Sequence, residues 1–192
     1  MTKQGLTQRA NGGFTLLELL VAVGIAAIIL AVGVPSFSSS IDNQRMTSAT
    51  NDLVMTMNLA KSEAIKRVAY VTVCKSSDGA TCTNASNWND GWIVFSNATN
   101  ANLNTVDAGD EIIRVFDGVN ERVTISPVGG VANFLSFRPA GTVGTSVANI
   151  SGTLTTCDHR GAEFARGVAV QPSGHWSVSY EVDHTGAALA CN

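Results

Sequence analysis

An acidic residue interrupts the apolar segment near the start of the chain. Glu18 is the only charged residue between Phe14 and Val34. A charged side chain in a membrane-length apolar helix costs on the order of 2.5–3.5 kcal/mol at its centre and less near its edge, unless it reaches the headgroups or meets a cation. Cleavage of the chain after Gly13 would create such a cation, the α-amino group of Phe14. That ammonium could neutralise Glu18 of its own chain or, better, Glu18 of a neighbour packed alongside.

Other residues of catalytic types form no recognisable arrangement. Asp158-His159 and Asp183-His184 are neighbours in the sequence, but adjacency along the chain does not orient a base toward a nucleophile. The sequence contains no Gly-x-Ser-x-Gly, phosphate-binding loop or His-Glu-x-x-His motif. It therefore predicts no enzyme activity and no cofactor.

The cysteines could pair with one another or bind a metal. There are four, namely Cys74, Cys82, Cys157 and Cys191, and they allow three connectivities. Cys74 and Cys82 bracket a short polar loop, and Cys157 could fasten the C-terminal tail through Cys191. We therefore expect the pairs Cys74–Cys82 and Cys157–Cys191, in an oxidising compartment. Metal binding with histidines is the alternative, but the spacings do not match a zinc signature, and we predict no metal site.

The apolar segment is long enough to cross a membrane. Phe14–Val34 has 21 residues, and a helix of that length spans roughly 31 Å, about one bilayer core. The polar stretch before it carries only two charges, both basic, so the positive-inside rule keeps it in the cytoplasm and places the rest of the chain outside. A secretory signal would have its small cleavage-site residues after the apolar run, whereas here a Gly-Gly pair precedes it. We predict a leader over residues 1–13 and a transmembrane helix over residues 14–34.

The charge balance argues against nucleic acid and anionic lipid as bulk partners. The formal net charge is −3, and it becomes −5 without the two basic residues of the leader. A chain of that sign has no overall attraction for a polyanion.

The apolar pattern then changes to that of an amphipathic helix. Apolar residues with a helical period are Met46, Leu53, Met57, Ala60 and Ala64. They predict a continuation of the N-terminal helix over residues 35–67, with one stripe packed on a sheet. Pro35 lacks a backbone donor and is expected to kink or loosen the helix near Ala31.

Short β-type runs separated by Gly, Asn, Asp and Ser clusters follow from residue 68. The predicted strands are Val68–Cys74, Trp92–Phe95, Glu111–Phe116, Arg122–Ile125, Phe134–Phe137, Thr153–Cys157, Gly167–Val170 and Trp176–Val182. The long polar tracts at 76–90, 97–110 and 141–152 are predicted to be surface loops. One helix followed by a series of strands indicates an α+β fold with antiparallel sheet, and a β-rich domain over residues 68–192.

The residues around the predicted cleavage position match a family pattern. Gly13 followed by Phe14-Thr15-Leu16-Leu17-Glu18-Leu19 resembles the class III signal of type IV pilins and type II secretion pseudopilins. The resemblance implies that a prepilin peptidase cuts between Gly13 and Phe14 and methylates the new N-terminus. It also implies that Glu18, at the fifth mature position, pairs with the Phe14 ammonium during assembly. Pro35 falls at the twenty-second mature position, where many pilins have a helix-kinking proline.

The rest of the chain resembles a narrower group. The stretches AIKRVAYVTVC, WNDGWIVFSN, DEIIRVF, GTLTTCDHRG and ARGVAVQPSGH are similar in order and spacing to the GspH/FimT family, which contains minor pseudopilins and FimT/FimU-like minor pilins. The resemblance implies a type IV pilin-like fold, with a long N-terminal helix packed on two small antiparallel sheets. It implies a single-pass inner-membrane protein with a periplasmic domain, which would join a tip complex that initiates a type IV pilus. Expected partners are other minor and major pilins, the assembly platform, the prepilin peptidase and a tip adhesin.

Two alternatives remain within this family. One is a minor pseudopilin of the type II secretion system, because the same signal and domain serve both machines. The other is DNA capture during natural transformation, for which the family motif is Gly-Arg-x-Arg near the C-terminus. The matching stretch, Gly174-His175-Trp176-Ser177, lacks both arginines. The candidates for DNA contact are Arg160, Arg166, His175 and Trp176, of which the tryptophan could stack on a base.

Overall fold

The structure is a computed structural model that describes most of the chain in two compact units. The described residues are 13–85, 87–98, 102–145 and 148–191, apart from the side chains of residues 34 and 35. Residues 1–12 of the predicted leader lie outside the described residues. The first unit is Met1–Ile41 and the second is Asp42–Asn192. The second unit contains both sheets and is called the globular unit below.

The described residues contain one α-helix, α1, which runs from Leu16 to Arg67. Val68 ends the helix, because its backbone is left-handed with φ 53°. The N–H of Ala69 then donates to the carbonyl of Ala64 at 3.3 Å, the hydrogen bond of a Schellman-type helix end. The predicted first strand therefore begins at Tyr70, two residues later than the sequence pattern indicates.

Eight strands in the described residues form two antiparallel sheets of four strands each. The strands are β1 Tyr70–Lys75, β2 Gly91–Asn97, β3 Glu111–Asp117, β4 Val123–Gly129, β5 Phe134–Phe137, β6 Gly152–Asp158, β7 Arg166–Val170 and β8 Trp176–Ser179. Sheet A has the order β3-β2-β1-β5, and sheet B has the order β4-β6-β7-β8. The predicted fold, one long helix packed on antiparallel sheets, is confirmed.

A single stripe of α1 forms the centre of the globular unit. The five apolar residues that the helical period selected, Met46, Leu53, Met57, Ala60 and Ala64, are all buried. All of them except Met46 pack in one cluster with residues of both sheets, among them Val71, Trp92, Leu154 and Val168. Full burial of each large apolar side chain contributes about 1.5–3 kcal/mol. The helix is therefore the shared core of sheets that are not hydrogen-bonded to each other.

Buried hydroxyl groups tie α1 to each sheet. The indole Nε1 of Trp92 donates to Thr56 Oγ1 at 2.8 Å on the side of sheet A. The hydroxyls of Thr50 and Thr156 lie 2.9 Å apart on the side of sheet B. Because unpaired polar groups are costly inside a core, these bonds fix the rotation of the helix as well as its depth.

All three tracts predicted to be surface loops are partly buried. The 141–152 tract buries Val143 and Ile150 in the main core cluster, and the other two cover the outer face of sheet A. Ile93 and Phe95 point away from α1 and pack with Cys82 of the first tract and Val106 of the second. All seven residues of β2 are consequently buried. Trp88 is also buried, with its Nε1 donating to the carbonyl of Ala132 at 3.2 Å. The polar composition of these tracts hid the few apolar side chains that anchor them.

The last strand is shorter than the sequence pattern predicts. It ends at Ser179 rather than Val182. The hydroxyl of Ser179 accepts the N–H groups of Glu181 and Val182, at 3.3 and 3.1 Å, and such side-chain bonds compete with a strand ladder. The chain therefore bends at Tyr180 although the alternation of apolar residues continues past it.

Val68 offers a stability test of the helix end. A β-branched residue in the left-handed region is strained by on the order of 1–3 kcal/mol, and 76% of Val68 is exposed, so little packing offsets the strain. We expect Val68→Gly to raise the free energy of unfolding by about 1 kcal/mol, measured by urea unfolding. Ile65→Gly is the control, because the same kind of change inside the helix should lower stability by about 1 kcal/mol. A loss of stability in Val68→Gly would contradict the assignment of strain.

Candidate assembly site

The N-terminal segment of the described chain presents a capped helix start. Gly13, Phe14 and Thr15 precede the helix and are exposed. The Thr15 hydroxyl accepts the N–H of Glu18 at 3.2 Å, and the Thr15 carbonyl accepts the N–H of Leu19 at 3.2 Å. Thr15 is therefore the N-cap, and the sequence Thr-Leu-Leu-Glu has the spacing of a capping box. Our sequence interpretation missed this cap, although the spacing alone could have indicated it.

The cap gives Glu18 a defined place in the first helical turn. Carboxylates are favoured there, because the unpaired N–H groups of a helix start carry partial positive charge. Among the described residues, the Glu18 carboxylate has no hydrogen bond or ion pair. The arrangement therefore leaves Glu18 open to a cation from outside the helix.

The apolar side chains on either side of Glu18 are left exposed in the first unit. They include Leu16, Leu20, Ile25, Ile28, Leu30 and Val32, all more than half exposed. Within the described residues, α1 is the one helix long and apolar enough to cross a membrane, judged by length and composition. The helix continues through position 35, and the side chain of Pro35 lies outside the described residues, so the kink stays a prediction.

Both predicted disulfides are present. Cys74 is bonded to Cys82, and Cys157 is bonded to Cys191. The first fastens the 76–90 tract against sheet A. The second holds the C-terminal segment on the outer face of sheet B, where Leu189 is buried beside Cys157. The pairing expected from the sequence is confirmed.

Arg160, a candidate for DNA contact, is engaged in the protein itself. Its guanidinium forms bonds of 2.6–3.1 Å with both oxygens of Asp158, whose side chain is 2% exposed. It also donates to Asn43 Oδ1 at 2.9 Å and lies over the Phe164 ring. Burial by itself would raise the pKa of Asp158, but the bonds from Arg160 outweigh it and hold that pKa below its ordinary value. The residue therefore joins α1 to sheet B.

Two of the other candidates for DNA contact, Arg166 and Trp176, also have partners within the protein. Arg166 donates to Thr47 Oγ1 of α1 at 2.6 Å. Trp176 packs edge-on against Phe137 at 6.4 Å between ring centroids, so one side of its ring is used in the fold. His175 is exposed on the turn before β8. The structure thus gives Arg160, Arg166 and Trp176 packing partners, and the predicted DNA contacts remain untested.

Models of known families match both the N-terminal part of the chain and the globular unit. A model of the type II transport protein GspH matches residues 49–174. This chain belongs to the GspH family. A model of the prokaryotic N-terminal methylation motif matches residues 8–34, which include Gly13, Phe14 and Glu18. Family membership implies a structural, pilin-like subunit that contacts other pilins in a pilus or pseudopilus, and the apolar helix with its methylation motif fits an anchor in the inner membrane.

Solved structures show the same fold. Two crystal structures of the type IV minor pilin FimU of Pseudomonas aeruginosa (strain PAO1) are similar to this member of the GspH family. The form in space group P21 has a TM-score of 0.54 and 18% identity, covering 79% of this chain and 98% of that chain. The form in P65 has a TM-score of 0.53 and 18% identity, covering 76% and 99%. No curated protein matches the chain in sequence.

The Asp158–Arg160 pair predicts a pH-dependent stability. The lowered pKa of Asp158 contributes stability that is present above the ordinary carboxyl pKa and is lost as the pH falls through the folded value. Arg160→Met should lower the free energy of unfolding by about 2–3 kcal/mol at neutral pH, because a buried carboxylate then lacks its donor. The difference from the native protein should shrink at about pH 3, because the buried carboxyl that has lost Arg160 is then protonated in the variant.

Arg166→Met is the matched control for this pair. Its partner on α1 is the hydroxyl of Thr47, which does not titrate, so the stability difference should change little between the two pH values. Urea unfolding of both variants gives the comparison. An Arg160→Met deficit that is the same at both pH values would contradict the assignment.

Proposed function

We propose that this protein is a minor pilin of a type IV pilus and takes part in the priming or tip complex from which the pilus grows. The observation that carries the proposal is the start of α1, where an exposed apolar helix holds Glu18 in its capped first turn, directly after the predicted cleavage position. The shared fold with FimU and membership of the GspH family support a pilin-like subunit. The role in priming goes beyond this family assignment and is the part that we propose.

Maturation would begin at the Gly13–Phe14 bond. Both residues precede the helix and are exposed, which suits a peptidase that needs an extended substrate. Cleavage by the prepilin peptidase and methylation would leave Phe14 as the N-terminus, and removal of residues 1–13 would take away the two basic residues that favour a cytoplasmic N-terminus.

The new ammonium explains why an apolar segment keeps a carboxylate. A positive charge at the start of a helix is disfavoured by about 0.3–1 kcal/mol, since it meets the partial positive charge of the free N–H groups. A carboxylate in apolar surroundings is costly as well. Pairing the Phe14 ammonium with Glu18 of a neighbouring subunit reduces both costs, as long as both groups are well placed. The pair would set the register between adjacent helices.

The rest of the chain would divide the remaining tasks. The exposed apolar residues up to Val34 would lie in the inner membrane before assembly and in the filament core afterwards. Residues 35–67 would link this segment to the core of the globular unit, where the stripe from Met46 to Ala64 is buried. The domain at 68–192 would lie in the periplasm and then at the pilus tip. There it would contact other minor and major pilins and a tip adhesin, after extraction by the inner-membrane assembly platform.

The second candidate is a minor pseudopilin of the type II secretion system. The observation that favours it is the description of the matching family model as a type II transport protein. The two disulfides and the Asn- and Thr-rich loops incline us toward the pilus. DNA capture is a weaker proposal, because Arg160 and Arg166 are bonded within the protein and the net charge is negative.

The charge pair can be tested without loss of the helix cap. Glu18→Gln removes the charge but retains a capping-box residue, and Glu18→Val removes both. Each variant should still enter the membrane and should assemble about tenfold less into surface pili, the effect of about 1.4 kcal/mol. Assembly is measured by immunoblot of sheared pili against the membrane fraction, in cells that lack the native copy.

Leu19→Val is the matched control for Glu18, because it changes an apolar side chain in the same turn and should assemble normally. Thr15→Val removes the cap hydroxyl without changing any charge, and should weaken only the first helical turn, by about 1 kcal/mol. Normal piliation in Glu18→Gln would count against the charge pair.

Deletion of the whole chain separates the two candidate machines. Loss of surface pili and twitching, with normal release of exoenzymes, is the result expected for a minor pilin. Retention of exoenzymes in the periplasm, with normal pili, would instead assign the protein to the type II secretion system.

A further inference from the structure

The edge of sheet B carries a strip of apolar side chains that the globular unit leaves uncovered. The stretch Trp176-Ser177-Val178-Ser179-Tyr180 alternates apolar and polar residues, the pattern of a strand with one buried face. Val178 is nevertheless 39% exposed, and Tyr180 is 64% exposed. Trp176, Val178 and Tyr180 are called the β8 strip below.

The β8 strip lies on the inner face of sheet B, where α1 reaches only its first residue, Trp176, which packs against the core cluster beside Lys61. Val178 pairs with Val168 across the β7–β8 ladder, and directly paired residues point to the same side of a sheet. Val168 is fully buried in the core cluster with Leu53. The helix therefore covers β7 and part of Trp176, but leaves Val178 and Tyr180 exposed on the same face.

The hydrogen-bonding edge of β8 is open as well. β8 is the last strand of sheet B, and within the described ranges no strand pairs with its outer side. The opposite edge strand of sheet B, β4, is protected. It contains Pro127, and the N–H of Ile125 donates to Asn89 Oδ1 at 2.6 Å. Proline and side-chain cover are usual protections of an edge strand, and β8 itself has no proline.

Two cations border the β8 strip, and neither has a carboxylate partner among the described residues. The Lys61 ammonium donates to the carbonyl of Gly174 at 2.9 Å and lies 5.4 Å from the centroid of the Trp176 ring. The Arg166 guanidinium donates to the Thr47 hydroxyl and lies 5.8 Å from the centroid of the Tyr180 ring. Both charges are therefore held in place by neutral groups, and they face an apolar surface.

We propose that the β8 strip docks the sheet edge of a neighbouring pilin-type subunit, one that presents alternating apolar side chains flanked by carboxylates. The proposal rests on the proposed function, which supplies neighbouring pilin-type subunits. Strand addition would satisfy the open backbone groups of β8, apolar contact would bury Val178 and Tyr180, and carboxylates would complement Lys61 and Arg166.

The same chain shows that a pilin-type sheet edge can have this composition. β3 is an edge strand of sheet A, and its exposed Ile112 and Val115 lie between Glu111 and Asp117. A β3-like edge on a different subunit is the occupant that we propose, because the Glu111 carboxylate of this chain is already bonded to Arg67. The β3 edge of a second copy is the competing occupant.

Site-specific photocrosslinking of the full chain in its own cells tests the proposal. Tyr180 is replaced by p-benzoylphenylalanine, and the adduct is identified by sequencing of the crosslinked peptide. The expected partner is a different protein with a prepilin signal, joined through a peptide that contains apolar residues beside Asp or Glu. The same probe at exposed Ala108, in a tract that covers sheet A, is the control and should not capture that peptide.

Charge variants test whether Lys61 and Arg166 contribute to docking. Lys61→Gln with Arg166→Gln keeps donors for Gly174 and Thr47 but removes both charges, and should reduce the adduct about tenfold. Lys61→Arg with Arg166→Lys keeps both charges and should retain it. The absence of an adduct, an adduct with a second copy, or an adduct that persists in the double Gln variant would each overturn the proposal.

These outcomes are separable from failure of the proposed function. If deletion of the chain abolishes pili but no charge-dependent Tyr180 adduct forms, the minor-pilin proposal stands and the docking proposal fails. If pili survive the deletion but Tyr180 gives a charge-dependent adduct with a prepilin-type protein, the docking proposal stands and the pilus role fails.

Discussion

An uncompensated carboxylate in an apolar helix is the constraint on which the other features depend. Glu18 is held in the first turn of α1 by the Thr15 cap, and its carboxylate has no partner in the described residues. A cation must therefore come from outside the helix before this segment can be buried in a filament at low cost. The N-terminal ammonium that the proposed cleavage before Phe14 would create is a group that the chain itself can supply. Processing and assembly would then be linked, because the uncleaved precursor would lack that charge.

A second constraint is that α1 has to provide the core of the globular unit. Its buried stripe packs on both sheets, and its polar contacts, such as Thr50–Thr156 and Thr56–Trp92, fix its rotation. The Asp158–Arg160 pair adds a tie from sheet B to Asn43 at the start of that unit. Because these contacts lie on two sides of the helix only, Val178 of β8 and Tyr180 after it are left exposed. The uncovered strip at β8 is thus a consequence of serving two sheets with one helix.

The helix period, the strand positions and the Cys74–Cys82 bond could be predicted from the sequence because each depends on local pattern, and Cys157–Cys191 was then the remaining pair. The period of Met46 to Ala64 identified the buried stripe, and the polar loop between Cys74 and Cys82 indicated their bond. Tertiary features could not be predicted in this way. The bond between Thr47 and Arg166 joins residues far apart in the sequence. The bend after Ser179 depends on a side-chain hydrogen bond that interrupts a regular apolar alternation. The Thr15 cap was within reach of sequence reasoning and was missed.

Intact mass of the protein purified from its native membrane, with and without reductant, tests the central claim most directly. A chain that begins at methylated Phe14 and gains the mass of four hydrogens on reduction is the predicted result, since the structure contains two disulfides and no free cysteine within its described residues. A chain that still begins at Met1 would contradict it. Gly13 would then not be a cleavage site, the Phe14 ammonium would not exist, and Glu18 would have to be explained as part of a plain membrane anchor.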